Sequence, residues 1–458
     1  MNRQNHRWDL WSLAEKLDFR MDFDRAVQKR LKRNGGATTV TLDGPGPVFF
    51  SSDEEVVRQL LPLPFHQDSD DIPESSDSAG QEYQRFRHCF ENYKKAVIDP
   101  AHQQAFFNLA KKMICQNFNH LGAGKLDNEC LQRFADQLVS ETILGSVFRK
   151  ISTPMFRKTR SYHETLGKGF LIHSVFKNPL FAKSLTQIED IGLLTSGPKS
   201  LSHLWMFSGD ETQSSQSLSY LLKDLALGSG DPVWWQFNTG ELNLNARMMT
   251  EAILHTIPAI LEHLSQDHSI QERLYSEIMS CESIDHYDSV VNLPFLDAVC
   301  KEGLRLHPVF PVTLVSVTRS MRLGGKLLMP GTVAGIANRI LHGDPLQWYL
   351  PERFIPERFI GRKTPSVHYL PFGVLPDHSP GSGNIFSTMK LILVFILSRF
   401  RVSRSEMNHS FINLIPDFLR PTKGSSKLFL EEKSPGRMTS ETIRPEYYQM
   451  SGTHLLSS

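Results

Sequence analysis

The chain has 458 residues, 40% hydrophobic and 22% charged, with 50 Lys and Arg against 49 Asp and Glu and a formal charge of +1. That composition supports a large buried core and excludes a wholly disordered chain. The balanced charge gives no electrostatic ground for binding nucleic acid or an acidic substrate, so a neutral, lipophilic small molecule is the expected partner.

The first thirty residues contain no long apolar run, and Asp9, Glu15 and Asp18 argue against a mitochondrial transit peptide. No signal peptide is read there either. Residues 8–34 have helical spacing and end at Gly35-Gly36, and residues 38–42 and 48–51, separated by Asp43-Gly44-Pro45-Gly46, read as a hairpin. The Asp-, Ser- and Glu-rich stretch 67–80 is expected to be a mobile loop. From 81 to 290 helix dominates, with apolar positions three and four apart in 106–118, 131–147 and 248–264, where Pro258 predicts a kink or a shortened helix.

After residue 300 come a helix, a β-rich piece at 312–317, a Pro-rich irregular stretch at 344–376 and a last long helix. The apolar run 391–397 in that helix, bounded by Lys390 and Arg399, is far shorter than the roughly 20 residues a bilayer needs, so it reads as a buried helix. Residues 423–458 are polar and expected to be an irregular tail. Cys89, Cys115, Cys130, Cys281 and Cys300 are scattered without CxxC or zinc-like spacing, which fits a reducing compartment. The fold class expected is mainly α with a smaller β part. A single domain over 1–422 followed by the tail, in a cytoplasmic or peripherally membrane-associated protein, completes the expectation.

Three segments carry chemistry in a fixed order. Lys301-Glu302-Gly303-Leu304-Arg305 puts a carboxylate and a guanidinium three residues apart on one helix face. Next comes Trp348-Tyr349-Leu350-Pro351-Glu352-Arg353-Phe354-Ile355-Pro356-Glu357-Arg358-Phe359, and then Pro371-Phe372-Gly373-Val374-Leu375-Pro376-Asp377-His378-Ser379-Pro380-Gly381 runs into the last helix. No GxSxG elbow, GxxxxGK[ST] loop or HExxH motif is present.

In this order and spacing the segments resemble the K helix, meander and haem-binding loop of the cytochrome P450 family. The resemblance implies that family's triangular helical body with a small β lobe. It also implies a structural triad of Glu302, Arg305 and Arg358, bracing a loop whose Phe372, Gly373, Ser379 and Gly381 approach a haem. Leu293-Pro294-Phe295-Leu296-Asp297-Ala298-Val299 is similar to the lead-in to the K helix, and His342-Gly343-Asp344-Pro345 to the turn before the meander. The motif 80–87 is similar to the helix in which an aromatic residue and an arginine, here Tyr83 and Arg87, hold a propionate.

The chain departs from the pattern where the family touches haem or oxygen. Ser379 stands where the iron-ligating cysteine is expected, and a hydroxyl is a harder donor that stays protonated near neutral pH. Asp377 would repel a propionate, Leu375 replaces a glycine beside the macrocycle, and Ser316 replaces an arginine, with Arg319 nearby. In the oxygen-activating groove, a small residue, a Gly, an acid and a Thr correspond to Met248, Met249, Glu251 and Ala252. His378, one residue early, is a surface residue more readily than a substitute ligand.

Three functions stay open from the sequence. The resemblance implies a haem-dependent monooxygenase of a lipophilic molecule, with a redox partner if active, whose haem-thiolate chemistry is impaired or lost here. The alternatives are an active haem oxidoreductase or isomerase with a non-cysteine ligand, and a haem-free pseudoenzyme acting in binding or regulation.

Overall fold

Alternation of apolar residues makes the N-terminal β structure, and spacing of three and four makes the helices. The computed structural model describes residues 23–42, 46–60, 78–118, 123–126, 128–143, 217–229, 233–281, 283–317, 320–361, 367–373, 380–404 and 428–433.

In chain order, α1 (Phe23–Arg33) leads into β1 (Ala37–Leu42) and β2 (Gly46–Ser51), followed by α2 (Glu54–Leu60), α3 (Ser78–Val97) and α4 (Pro100–Phe118). Then come β3 (Gly124–Leu126), α5 (Asn128–Thr142), α6 (Leu218–Ser229) and α7 (Val233–Glu251), which continues through a π-helical turn (Ala252–Thr256) into α8 (Ile257–Gln266). The elements α9 (His268–Met279), α10 (Tyr287–Val291) and α11 (Pro294–Leu306) follow, then β4 (Thr313–Ser316), β5 (Met321–Leu323), β6 (Lys326–Leu328) and β7 (Val333–Ile336). Short helix α12 (Asn338–His342), a 3-10 turn (Pro356–Phe359), α13 (Ser382–Arg399), β8 (Phe400–Arg404) and β9 (Leu428–Glu432) close the described chain.

The main sheet has the order β1-β2-β7-β4; β1 and β2 are antiparallel as the hairpin spacing predicts, and β2 runs parallel to β7. The β5–β6 hairpin turns on Gly324 and Gly325 at φ +52° and +74°, the left-handed pair that a two-residue turn requires. A third sheet, β3-β9-β8, contains an element that composition conceals. Leu428 and Leu430 are buried in β9, which pairs with both neighbours, so residues 428–432 of the polar stretch 423–458 are a strand and the rest of that stretch, apart from Lys433, lies outside the described residues. Likewise the expected loop 67–80 ends as helix: residues 78–80 open α3, and 67–77 lie outside the described residues.

Helix α13 runs through the main core, with Ile385, Leu391, Leu393, Ile396 and Leu397 wholly buried. Its one buried cation, Lys390, donates to the Asp297 carboxylate at 2.7 Å and to the Val291 carbonyl at 2.5 Å, so the charge is neutralised where it is desolvated. No described helix is long and apolar enough to cross a membrane.

Pro258 shapes the centre. With no N–H and a ring that collides with the carbonyl four residues back, it cannot sit in a regular continuation of α7. The backbone widens instead: the Ile257 N–H reaches the Ala252 carbonyl, five residues back, and Pro258 falls in the first turn of α8. Close packing of α8 on α11 then depends on Gly303, where an added Cβ would overlap the Ile260 side chain. Gly303→Ala is therefore expected to cost about 1–3 kcal/mol from overpacking. Combining it with Ile260→Ala should destabilise less than the sum of the two single changes, read from denaturant midpoints.

Candidate functional site

Helical spacing brings Glu302 and Arg305 onto one buried face of α11, and the chain after α12 is tied to that pair. Arg305 grips the carboxylate with two bonds, Nε to Oε2 and Nη2 to Oε1, both 2.8 Å. Arg358 comes in from the 3-10 turn, its Nε donating to Glu302 Oε1 at 3.1 Å, and the Ile355 N–H donates to the same oxygen at 2.9 Å. The remaining guanidinium donors bind backbone carbonyls of the irregular stretch. Arg305 reaches His342 at 2.8 Å and Arg353 at 3.2 Å, while Arg358 reaches Leu350 at 2.7 Å and also Tyr349. Glu302 and Arg305 have no exposed side-chain surface. Trp348 lies under the Arg305 guanidinium, 5.2 Å from ring centroid to Cζ.

His342 extends this brace toward the loop before α13. Its Nε2 accepts from the Leu370 N–H at 2.6 Å, which leaves the proton on Nδ1 to donate to the Arg305 carbonyl at 2.9 Å. Burial lowers its pKa to about 3, so this neutral tautomer is the working form. Three residues on, Gly373 stands at φ +82°, and a Cβ there would press on Thr313 Oγ1. The Thr313 hydroxyl donates to the Gly373 carbonyl at 2.7 Å and accepts from Asn338 Nδ2 at 2.8 Å. Phe372 packs half-buried on the main core.

Against the start of α13, α7 presents Glu241, Asn245 and Met248 and the π turn adds Ala252, spaced four, three and four apart and so on one face. Asn245 Nδ2 donates to the Glu241 carbonyl at 2.8 Å and lies 3.4 Å from the Tyr93 hydroxyl of α3. That first bond sets the amide orientation, because the flipped form would put two acceptors together. Asn245 Oδ1 is buried with no hydrogen-bond partner and sits against Gly381, where an added Cβ would overlap it. Burial raises the Glu241 pKa to about 7, against the opposing effect of hydrogen bonds from Asn245 and Tyr93.

Of the residues expected from sequence, Glu302, Arg305 and Arg358 come together, and Gly381 caps the start of α13. Arg87 lies exposed on α3, the helix that also carries Tyr83. Glu251 sits before the π turn with its carboxylate 3.4 Å from His255 Nε2, and Ala252 is wholly buried in the turn. Ser316 belongs to β4; Leu375, Asp377, His378, Ser379 and Arg319 lie outside the described residues. Tyr93, Glu241 and Asn245 escape the sequence reading, and His342 enters it only as part of the turn before the meander. A polar pair recurring on an otherwise apolar stripe was the available signal for Glu241 and Asn245.

A sequence profile described as Cytochrome P450 matches residues 249–429, the segment that contains the triad, the loop and α13. This segment of the chain, residues 249–429, is of the cytochrome P450 family. It is similar to cytochrome P450 3A41 of Mus musculus, 32% identical over 156 residues, which is 33% of this chain and 31% of the relative. It is also 32% identical over 190 residues to the probable cytochrome P450 6a13 of Drosophila melanogaster, covering 40% of this chain and 36% of that one. These alignments span about a third of each relative's length. A solved zebrafish cytochrome P450, described as a structure with abiraterone, superimposes with a TM-score of 0.60 over 90% of this chain and 99% of its own, at 17% identity. That likeness establishes the mainly helical P450 fold with its small sheet part.

The match to the P450 profile implies haem by resemblance. The residues present here do not fit that group. Met248, Met249 and Ala252, the positions the resemblance assigns to the oxygen groove, have 0% exposure beneath the protein's own atoms, and Asn245 closes directly on Gly381.

Two measurements probe this site. Removing one partner from a buried charge network costs about 3–5 kcal/mol, so Arg358→Ala should lose that much stability in denaturant unfolding; a parent-like midpoint would refute the brace. For Glu241, the folded pKa of about 7 lies above the ordinary 4.5. The folded state therefore keeps a proton that the unfolded chain releases, and this contribution is complete below 4.5 and lost as pH rises to 7. Stability should fall through that window by at most about 1.4 kcal/mol per pH unit. Glu241→Gln should flatten the fall in melting temperature between pH 5 and pH 8.

Proposed function

We propose that this chain descends from a haem-dependent monooxygenase and has lost haem-thiolate chemistry, its helical body now serving to bind a lipophilic small molecule or a protein partner. The observation that carries this reading is Ser379 in the register of the iron-ligating cysteine, counted from Phe372 and Gly373. A serine hydroxyl does not ionise near neutral pH and offers a hard oxygen where the family's chemistry relies on a soft thiolate. Asp377 and Leu375 alter the same loop, and Ala252 removes the hydroxyl from the groove while Glu251 keeps the acid.

The pattern of retention supports the same reading. Glu302, Arg305, His342 and Arg358 brace the backbone and keep full hydrogen bonding, whereas the altered positions are those that would face a cofactor. A near-neutral overall charge suits a lipophilic ligand and gives nucleic acid no purchase.

The direct measurement is the reduced carbon monoxide difference spectrum of the purified chain supplied with haemin. No thiolate-type band is expected. Its presence would overturn the proposal, and a spectrum of a nitrogen-ligated haem that supports turnover would favour an active enzyme using His378. Ser379→Cys alone should not give coupled turnover, since acid–base assistance worth about 10²- to 10⁴-fold is still missing at Ala252. The comparison is with a variant that adds Asp377→Arg, Leu375→Gly and Ala252→Thr, scored by product formed per reducing equivalent. Full coupling in the single variant would make Ser379 the sole lesion.

A further inference from the structure

The face of α7 that turns toward the start of α13 is sealed by side chains of unequal character. Asn245, Met248 and Ala252 lie on one stripe by their spacing, with Met249 beside it, and all four have 0% exposure. The direction of the stripe is given by Asn245 itself, whose Oδ1 abuts Gly381 while its Nδ2 reaches back to Glu241 and toward Tyr93. Met248 and Ala252 are one and two turns further along the same face, on the way to the π turn. Methionine is unbranched and adaptable, so two in succession can fill an irregular gap that small residues would leave open.

We infer that Asn245, Met248 and Met249 fill the space between α7 and the start of α13, so that this chain folds and persists without haem and excludes it by packing, whatever ligand stands at position 379. The inference rests on the proposed loss of haem-thiolate chemistry but adds a separate barrier. Replacing the iron ligand would leave this barrier in place. To admit a planar macrocycle, α7 and Gly381 would have to part, which breaks the Asn245 contact. The π turn supports the plug from the other end, because it fixes Ala252 where the helix widens and its Thr256 hydroxyl is anchored to the His307 carbonyl at 3.0 Å.

The test is a haemin titration of the full-length chain followed by Soret absorbance, with a thermal melt of each sample. The parent should melt cooperatively without haemin, show no saturable one-to-one uptake, and keep its melting temperature when haemin is added. Met248→Ala with Met249→Gly should gain saturable haemin binding by at least tenfold and melt higher in its presence, while the volume-keeping Met248→Leu should behave like the parent. If the double variant gives no cooperative melt, Asn245→Ala, which releases only the contact with Gly381, takes its place and should show the same gain. Stoichiometric uptake by the parent overturns the inference, as does a folded opened variant with no gain. Uptake by the parent without a thiolate-type carbon monoxide band would leave the proposed function standing, whereas a thiolate-type band would remove both.

Discussion

The Glu302 carboxylate is a buried negative charge, and the chain between α11 and α13 is organised by the need to satisfy it. Two guanidinium groups and one backbone N–H converge on its two oxygens, and those guanidinium groups spend their other donors on carbonyls of a stretch with no sheet or helix ladder of its own. A charge without these partners would be costly in a dry interior, so the meander cannot wander without exposing that cost. His342 carries the constraint on to Leu370, and Thr313 carries it to Gly373. The loop before α13 is thus held at its entrance by a chain of hydrogen bonds beginning at one carboxylate.

The surfaces that meet the described residues before α13 and those at its start differ in physical character. On the α11 side, polar groups are paired and the geometry is that of a brace whose members come from distant segments. On the α7 side, the surface is closed by methionines, an alanine and an amide with one unmet acceptor. An unpaired buried acceptor is uncommon in folded proteins, and here it sits where α3, α7 and α13 meet. Tight packing of α7 on the start of α13 accounts for it: the amide is fixed by its bond to Glu241, and its oxygen is left facing a glycine.

The Pro258 effect shows how a local rule is answered by tertiary structure. Proline ends or bends a helix, and both outcomes were open from the sequence. Packing of α8 on α11 through Gly303, and burial of Ile257, Ile260, Leu261 and Leu264 in the core, reward continuation of the helix. The backbone takes the single wide turn that permits it.

Periodicity is a local property, so the helical body, the buried character of 391–397, the N-terminal hairpin and the shared face of Glu302 and Arg305 were legible from residue spacing alone. So was the family resemblance, because its motifs are contiguous. What escaped depends on contacts between segments far apart in the chain. The strand β9 hides in polar surroundings because its five residues acquire their role only by pairing with β3 and β8. Tyr93, Glu241 and Asn245 are unremarkable on their own helices and become a buried cluster only when α3 and α7 pack. The orphaned oxygen of Asn245 has meaning only against Gly381, which a short-range reading of either segment cannot supply. Spacing determines which side chains share a face, but only the packing of whole helices decides what that face meets, since burial is set by neighbours rather than by sequence position.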